Sequence, residues 1–217
     1  MKPKADLSLY LVTDRDLMTT STLEEAVEQA ISGGVTLVQL REKKASSREF
    51  YELAVRVKAV TDKHKIPLII NDRADIALGA HASGVHVGQS DIPAEIAREI
   101  MGDDKIVGVS VSNVKEAVEA QEGGADYLGV GPMFPTDTKK GAETVSLEEL
   151  TKIREAVTIP IVVIGGINEN TIPRFEGIDI QGIAVVSAIM GAEDVAGKAR
   201  RLKEMFQGNI LEDLESN

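Results

Sequence analysis

The segment Pro67–Leu78, PLIINDRADIAL, contains one unit of the predicted fold. Its first part, 68–70, is apolar at every position, which is typical of a strand that is buried on both faces. An amide, a carboxylate and a guanidinium follow at once in Asn71, Asp72 and Arg73. Either these residues begin a helix, or the strand delivers several polar side chains to one place.

The same pattern of a short apolar strand and a helical segment recurs along the chain. Eight strands are predicted, in the segments 8–14, 37–42, 67–72, 84–89, 105–111, 125–134, 160–167 and 182–188. Each unit takes roughly 27 residues, which suits a small (β/α)₈ barrel. We therefore predict an α/β fold, a single-domain TIM barrel over 1–207, with an acidic tail over 208–217. An open, doubly wound parallel sheet is the competing architecture.

Helix signals lie between these strands. Apolar residues recur every three or four positions in the segments 46–60, 146–157 and 194–206, so each segment has one apolar face. Ser46 and Ser146 each stand three residues before a glutamate, which is the pattern of a capping box at a helix start. The alternation of strands and helices is what a parallel barrel requires.

The composition limits the class of protein. Of the 217 residues, 43% are hydrophobic and 27% are charged, which is ordinary for a globular protein. The net charge of −11 argues against nucleic acid or an anionic membrane as a partner. The absence of cysteine excludes disulfides and thiolate chemistry. Because no apolar run approaches the ~18 residues of a membrane span and no signal peptide pattern is present, we expect a cytoplasmic protein. A homo-oligomer stays open.

Polar residues at strand ends mark the candidate site, because a (β/α)₈ barrel places its active site at the carboxyl ends of its strands. After the second strand, alternation puts Gln39, Arg41 and Lys43 on one side. If that side is the barrel interior, an amide and two cations line one wall toward the mouth. The alternative is a basic surface turn in which Arg41 pairs with neighbouring acidic residues.

Two carboxylates follow adjacent strands. Asp72 ends the third strand and Asp91 lies just after the fourth, and neighbouring strands are only ~4.8 Å apart. Two carboxylates completed by phosphate oxygens and water form a typical Mg²⁺ site. We therefore predict that Asp72 and Asp91 bind Mg²⁺. The alternative is that Asp91 caps the helix that starts near Ile92 and Pro93.

Two loops have the composition of phosphate sites. The loop after the sixth strand is long and basic, with Thr136, Thr138, Lys139 and Lys140. On a rigid scaffold such a loop is expected to close over phosphate. After the last two strands, Gly165-Gly166 and the turn Val186-Ser187 offer backbone N–H groups to a second phosphate.

Groups that could transfer protons are scarce. Ser110 at the end of the fifth strand has no histidine or other base beside it in the sequence, so we expect a hydrogen-bonding role and not a nucleophile. His64 ends a helix, His81 lies in a helix of small residues, and His86 is in mid-strand, all of which are typical of structural histidines. Such a site suits a reaction that needs charge compensation more than a general base, such as the departure of pyrophosphate.

Seven segments together, and in this order, resemble the thiamine-phosphate synthase family: VQLREK, IINDRADIA, GVHVGQSDIP, GVS, GPMFPTDTKKG, VVIGGI and VVSAI. The similarity extends from about Tyr10 to Met190. It implies a (β/α)₈ barrel that joins 4-amino-2-methyl-5-(diphosphooxymethyl)pyrimidine to a thiazole phosphate, giving thiamine phosphate and pyrophosphate. It also implies a dissociative course, in which pyrophosphate leaves, a pyrimidine-methyl cation forms, and the thiazole nitrogen attacks it.

The resemblance also implies residue roles. Binding of the pyrimidine diphosphate would involve the Gln39–Lys43 stretch with Arg41, Asn71, Ser110 and Lys139. Binding of Mg²⁺ would involve Asp72 and Asp91. Binding of the thiazole phosphate would involve Thr136, Thr138, Gly166, Val186 and Ser187. Of these residues, Arg41, Ser110 and Lys139 are expected to take part in catalysis.

Three alternatives stay open at this point. The nearest is the thiazole tautomerase, a relative expected to lack the acid of the GQSD segment and to use a histidine where this chain has Ser112. The presence of Asp91 and Ser112 favours the synthase. A phosphate-sugar isomerase or epimerase barrel would need a base at the mouth, and none stands out in the sequence. A non-catalytic ligand-binding barrel can be distinguished from an enzyme only by an activity assay. The sequence does not say whether the thiazole is carboxylated.

Overall fold

The computed structural model describes residue 2, residues 5–136 and residues 143–215, with side chains to residue 208. Within these ranges, eight parallel strands close into a barrel in sequence order, and the last strand pairs with the first. The strands are β1 Leu9–Val12, β2 Leu37–Leu40, β3 Leu68–Asn71, β4 Gly84–Val87, β5 Ile106–Val111, β6 Tyr127–Val130, β7 Ile161–Ile164 and β8 Gly182–Val185. The predicted (β/α)₈ barrel is confirmed, and the open sheet is wrong.

Helices connect the strands on the outside of the barrel. They are α1 Leu23–Ser32, α2 Ser47–Lys63, α3 Ala74–Gly79, α4 Ala94–Met101, α5 Val114–Glu122, α6 Leu147–Ala156, α7 Ser187–Met190 and α8 Val195–Glu215. Ser46 forms the predicted capping box with Glu49, and the Ser146 side chain caps α6.

The seventh unit departs from the regular pattern. A 3₁₀ helix, Ile172–Phe175, lies between β7 and β8 where the repeat predicts an α-helix. Pro173 stands in its first turn, where its missing N–H is not needed, and the backbone leaves the helical region at Glu176 with ψ 135°, which ends the segment. The predicted strand–helix repeat is therefore wrong for the helix of this unit.

The strands end earlier than the apolar runs predict. Pairing of β2 stops at Leu40 and pairing of β3 stops at Asn71, so that Arg41, Lys43 and Asp72 belong to the loops that follow. The sequence pattern does not show these ends, because the loops leave the barrel through residues that are still partly buried. The polar residues at the strand ends consequently face the mouth of the barrel.

The apolar residues form two layers. One alternating set faces the barrel interior and includes Tyr10, Leu37, Ile69, Tyr127 and Val162. The other set packs between the strands and the helices and forms the larger cluster. Burial on both faces explains why the strands read as continuous apolar runs.

The last helix runs without a break into the acidic segment. Its backbone is helical to Glu215, past the predicted end of the barrel at residue 207. The boundary between barrel and tail at 207/208 therefore stays a prediction. Among the residues that the structure describes, no helix combines the length and the apolar character that crossing a membrane would need.

Candidate active site

A cavity of about 770 Å³ opens at the carboxyl ends of the strands. Residues from all eight strand ends line it, from Tyr10 of β1 to Ala184 of β8. This is the position at which a (β/α)₈ barrel gathers the residues of its active site. The cavity is large enough for a small-molecule ligand.

The carboxylates of Asp72 and Asp91 meet at the rim of this cavity. Both side chains line the cavity, close enough for the charge of Asp72 to act on the Asp91 carboxyl. Lys43 Nζ forms an ion pair with Asp72 Oδ2, and Asp91 Oδ2 accepts a hydrogen bond from the Gly88 N–H at 2.8 Å. Burial raises the pKa of the Asp91 carboxyl and the charge of Asp72 raises it further, against the lowering effect of the Gly88 N–H. We refer to Asp72 and Asp91 as the acidic pair.

The backbone holds Asp72 in an unusual conformation. Its φ is +62°, in the left-handed region that costs a non-glycine residue free energy. The Asp72 N–H donates to the His86 carbonyl oxygen at 2.8 Å, which ties the loop to β4. In this conformation the Asp72 side chain lines the cavity together with Asp91.

The acidic pair fits a hard divalent cation. Two neighbouring carboxylates repel each other, and a cation between them would remove that repulsion. No group of three or more His, Asp or Glu side chains that could hold a metal is found in the described part of the chain. A hard divalent cation usually completes its coordination with water and substrate oxygens.

The alternative role of Asp91 as a helix cap is wrong. Helix α4 begins at Ala94 after Pro93, and no side chain caps it. The Asp91 carboxylate is instead turned back toward Gly88 and the cavity.

The wall formed by the residues after β2 combines an amide with two cations. Gln39 lies inside the barrel with 3% of its surface exposed, and Arg41 and Lys43 line the cavity above it. Arg41 Nη1 lies 3.6 Å from Asp14 Oδ2. Glu42, on the opposite side of the chain, accepts hydrogen bonds from Arg15. Gln39 is buried as the alternation predicts, and the pairing of Arg41 with an acidic residue that the alternative expected is also present, at Asp14.

The floor of the cavity carries a continuous series of hydrogen bonds, which we call the floor chain. Gln39 Nε2 donates to Tyr10 Oη at 2.7 Å, and Tyr10 Oη lies 2.7 Å from Tyr127 Oη. His86 then joins Tyr127 Oη through Nδ1 at 2.9 Å and Ser110 Oγ through Nε2 at 2.8 Å. Burial is the main cause that raises the pKa of each tyrosine, which keeps both phenols protonated.

Ser110 has a histidine partner in space, although no histidine stands beside it in the sequence. His86 lies 24 residues earlier in the sequence, and β4 pairs with β5 so that the two side chains meet inside the barrel. One expectation needs correction, because His81 follows α3 instead of lying within it. His64 stands at the end of α2, as predicted.

Two glycines after β7 shape the opposite side of the cavity. Gly165 has φ +96° and Gly166 has φ +68°, and both conformations favour glycine. A Cβ on Gly166 would lie 2.7 Å from Phe134 Cβ, so the backbone approaches the loop after β6 closely. Val186 and Ser187, at the start of α7, line the same side. The loops after β7 and β8, which are both predicted to bind phosphate, therefore face one space.

Comparison with known proteins shows the family. A model of the thiamine monophosphate synthase family matches residues 9–189. The chain belongs to this family. A thiamine-phosphate synthase of Clostridium beijerinckii is 65% identical to it over 95% of this chain and 99% of the relative. The predicted family and function, thiamine-phosphate synthase, are thereby confirmed, as is the predicted enzyme class, a transferase.

The solved structures agree with this result. A thiamine phosphate pyrophosphorylase from Pyrococcus furiosus has a TM-score of 0.87 and 41% identity, covering 95% of this chain and 98% of its own. KGPDC from Streptococcus mutans has a TM-score of 0.69 at 17% identity, covering 93% of this chain and 98% of its own. The second likeness shows the barrel fold alone.

The structure places most of the predicted site residues of this synthase around one cavity. They are Gln39, Arg41, Lys43, Asn71, Asp72, Asp91, Ser110, Thr136, Gly166, Val186 and Ser187. Thr138, Lys139 and Lys140 lie outside the described residues. The roles of all these residues in the synthase reaction stay predictions.

Sequence reasoning missed three residues of the floor chain: Tyr10, His86 and Tyr127. Tyr10 and His86 stand within strands and Tyr127 begins β6, at positions where an apolar residue is usual, and each points into the barrel. Two glycines of neighbouring strands are the signal that could have found them. A Cβ on Gly108 would lie 2.1 Å from Tyr127 Cζ, and one on Gly129 would lie 3.2 Å from His86 Cε1.

Proposed function

We propose that this synthase binds the pyrimidine diphosphate with its ring on the floor chain and its diphosphate against the acidic pair and the cationic wall. The observation that carries the proposal is that Asp72 and Asp91 both line the rim of one cavity, close enough for the charge of one to act on the other, above a floor that is polar and aromatic. The two regions match a flat, polar ring that is joined to a highly charged leaving group.

The acidic pair would hold Mg²⁺. This ion supplies charge neutralisation for the phosphate oxygens of a leaving diphosphate when it is bound. Asp72 and Asp91 present the carboxylate oxygens for it, and Lys43 neutralises part of the charge of Asp72. Mg²⁺ suits a site with two protein ligands better than Ca²⁺ does, because it keeps several waters.

The cations would stabilise the departing diphosphate. Arg41 and Lys43 line the cavity on the side of the acidic pair. We propose that Lys139, which lies outside the described residues, adds a third positive charge from the loop after β6. Departure of pyrophosphate leaves a pyrimidine-methyl cation, so charge compensation is the main task of these side chains.

The ring of the pyrimidine would lie over Gln39, Asn71 and Ser110. These three side chains offer an amide, a second amide and a hydroxyl to a heterocycle with an exocyclic amine. Their positions on β2, β3 and β5 are fixed by strand pairing, so they can orient the ring before the bond breaks.

The thiazole phosphate would occupy the other side of the cavity. Gly166, Val186 and Ser187 line it, and Thr136 of the loop after β6 faces the same space. Thr138 would complete this set. A phosphate held there would place the thiazole nitrogen between the two binding regions, where it can attack the pyrimidine-methyl carbon.

The test is turnover with both small-molecule substrates. Incubation with the pyrimidine diphosphate, the thiazole phosphate and Mg²⁺ should give thiamine phosphate and an equal amount of pyrophosphate. Omission of Mg²⁺, or the variant Asp72→Ala, should abolish both products. An equal rate with chelator present would contradict the proposed metal role, and isomerised thiazole without any pyrophosphate would favour a tautomerase.

A further inference from the structure

The floor chain connects Gln39 to Ser110 through two tyrosines and a histidine, and its hydrogen bonds have a direction. We infer that the donors point from Gln39 toward Ser110, so that His86 carries its proton on Nε2 and Ser110 offers its hydroxyl proton to the cavity. In this arrangement Tyr10, Tyr127 and His86 are positioning residues for Ser110. The consequence for substrate rests on the proposed function, but the direction itself does not.

The direction begins at Gln39. The Gln39 Nε2 group can only donate, so Tyr10 Oη accepts there. The proton of Tyr10 must then go to another acceptor, and Tyr127 Oη lies 2.7 Å away. Tyr10 is 1% exposed, and a buried hydroxyl proton without a partner is strongly disfavoured. Tyr10 therefore donates to Tyr127.

The direction passes through the imidazole. Tyr127 already accepts from Tyr10, and its own proton goes to His86 Nδ1 at 2.9 Å. Nδ1 must then present a lone pair, and a neutral imidazole with an unprotonated Nδ1 carries its proton on Nε2. Nε2 lies 2.8 Å from Ser110 Oγ, so His86 donates to the serine.

The direction ends at the ligand. Ser110 Oγ accepts from His86, and its own proton is left to donate into the cavity that it lines. On the other side of β4, Asn71 of β3 is paired in register with His86. Asn71 Nδ2 is buried without a hydrogen-bond partner among the described residues. The floor therefore presents donors from β3 and β5, on the two sides of β4, and the group that binds above them must be a hydrogen-bond acceptor.

The opposite direction would give the site a different chemistry. If the Gln39 amide faced Tyr10 with its oxygen, every bond of the floor chain would reverse. Ser110 would then donate to His86 Nε2, and His86 could take the serine proton as a general base. The tautomer of His86 distinguishes the two directions, because Nε2 carries the proton in one and Nδ1 carries it in the other.

The experiment measures this tautomer in the free protein. Two-bond ¹⁵N–¹H correlation spectra of the uniformly ¹⁵N-labelled full chain at neutral pH show which nitrogen of each imidazole is protonated. The chain has three histidines, and the variants His64→Gln and His81→Gln assign the other two. We expect the Nε2–H form for His86. The Nδ1–H form, a mixture of tautomers, or an imidazolium would overturn the inference.

A variant tests whether the floor chain sets the tautomer. Tyr127→Phe removes the donor to Nδ1, so the His86 signals should change to a mixture of tautomers and kcat should fall about tenfold, as for the loss of one hydrogen bond. Tyr51→Phe is the matched control, because that ring is 42% exposed on α2. Unchanged His86 signals in folded Tyr127→Phe would overturn the inference. If this variant does not fold, the wild-type spectrum alone decides.

The spectra require no substrate, so this inference and the proposed function fail independently. If wild-type His86 carries its proton on Nδ1, the inferred direction is overturned, and the pyrophosphate assay of the wild type still tests the proposed function. An inactive protein with the Nε2–H tautomer would contradict the proposed reaction and leave the direction of the floor chain in place.

Discussion

The floor of the cavity is made of neutral, paired polar groups, whereas its rim carries two like charges. On the floor, each polar group from Gln39 to Ser110 has a partner, and the tyrosines that connect them are neutral and buried. At the rim, Asp72 and Asp91 meet as like charges, and Asp72 has a left-handed backbone conformation. The floor chain is paired from end to end and leaves only the Ser110 proton and the Asn71 amide for a ligand, whereas the rim is stabilised by whatever positive charge binds there. The comparison separates residues that are held by bonds within the protein from residues whose charge is fully balanced only when a cation binds.

The largest effect should come from the acidic pair. Asp91→Asn removes a ligand of the proposed cation, so turnover should fall by about 10³-fold, in line with the several kcal/mol that such an ion supplies. Without metal, the variant should melt no earlier than the wild type, because a like-charge repulsion has been removed. Steady-state pyrophosphate release and thermal unfolding measure the two effects.

Asp75→Asn is the control for this variant, since Asp75 is an exposed aspartate that pairs with Arg73 on the surface. It should keep full turnover. A marked loss of stability in Asp91→Asn would show that the rim is as self-contained as the floor, and the comparison would fail.

The second effect concerns the floor. Gly108→Ala places a Cβ 2.1 Å from Tyr127 Cζ, so the ring must move and the floor chain must break. We expect the free energy of unfolding to fall by about 1–3 kcal/mol, as for an overpacked core. Urea unfolding measures it.

Gly208→Ala is the matched control for that substitution. No atom lies within 4 Å of a Cβ at Gly208, and the residue is in α8. Because alanine favours a helix over glycine, the control should be neutral or more stable by up to about 1 kcal/mol. Equal stability of the two variants would mean that the floor tolerates the added volume.

A smaller effect is expected at the junction of wall and rim. Lys43→Met removes the ion pair with Asp72 and one cation of the wall, so the KM for the pyrimidine diphosphate should rise about tenfold. The half-exposed side chain contributes little to stability, so the melting temperature should stay within a degree or two. Initial rates at varied diphosphate concentration measure KM, and a KM equal to that of the wild type would remove Lys43 from the binding site.

The smallest effect belongs to an ion pair away from both regions. Hydrogen bonding to Lys198 lowers the pKa of Glu169, so the pair stabilises the fold above the unfolded pKa of this carboxyl. That contribution is lost as the pH falls through the lowered folded pKa. Glu169→Gln should therefore cost a few tenths of a kcal/mol at neutral pH and nothing in strong acid, after allowance for solvent screening. Urea unfolding at both pH values tests the difference.

The sequence predicts the scaffold better than the contacts within it. Apolar runs such as 68–70 report burial on both faces, and that pattern is enough to indicate a parallel barrel. The polar residues after those runs, such as Asp72 and Asp91, also indicate the site, because strand ends meet at one mouth. The sequence could not show the left-handed backbone of Asp72, because aspartate rarely adopts it and no glycine marks the position.

The floor chain was missed for a different reason. Tyr10, His86 and Tyr127 are separated by tens of residues and stand in strands that are otherwise apolar. Each one alone fits a buried aromatic residue with a satisfied polar atom. Only the register of the closed barrel brings them together, and register between distant strands is not encoded in any single segment.

The glycine at position 108 has a consequence for relatives of this protein. The space beside β5 is occupied by the ring of Tyr127, so neither position can be exchanged alone without a collision or a void. Natural variation should therefore alter positions 108 and 127 as a pair. A relative with a bulkier residue at position 108 should have a smaller residue than tyrosine at position 127. Its histidine would then need a different hydrogen-bond partner to orient the ring.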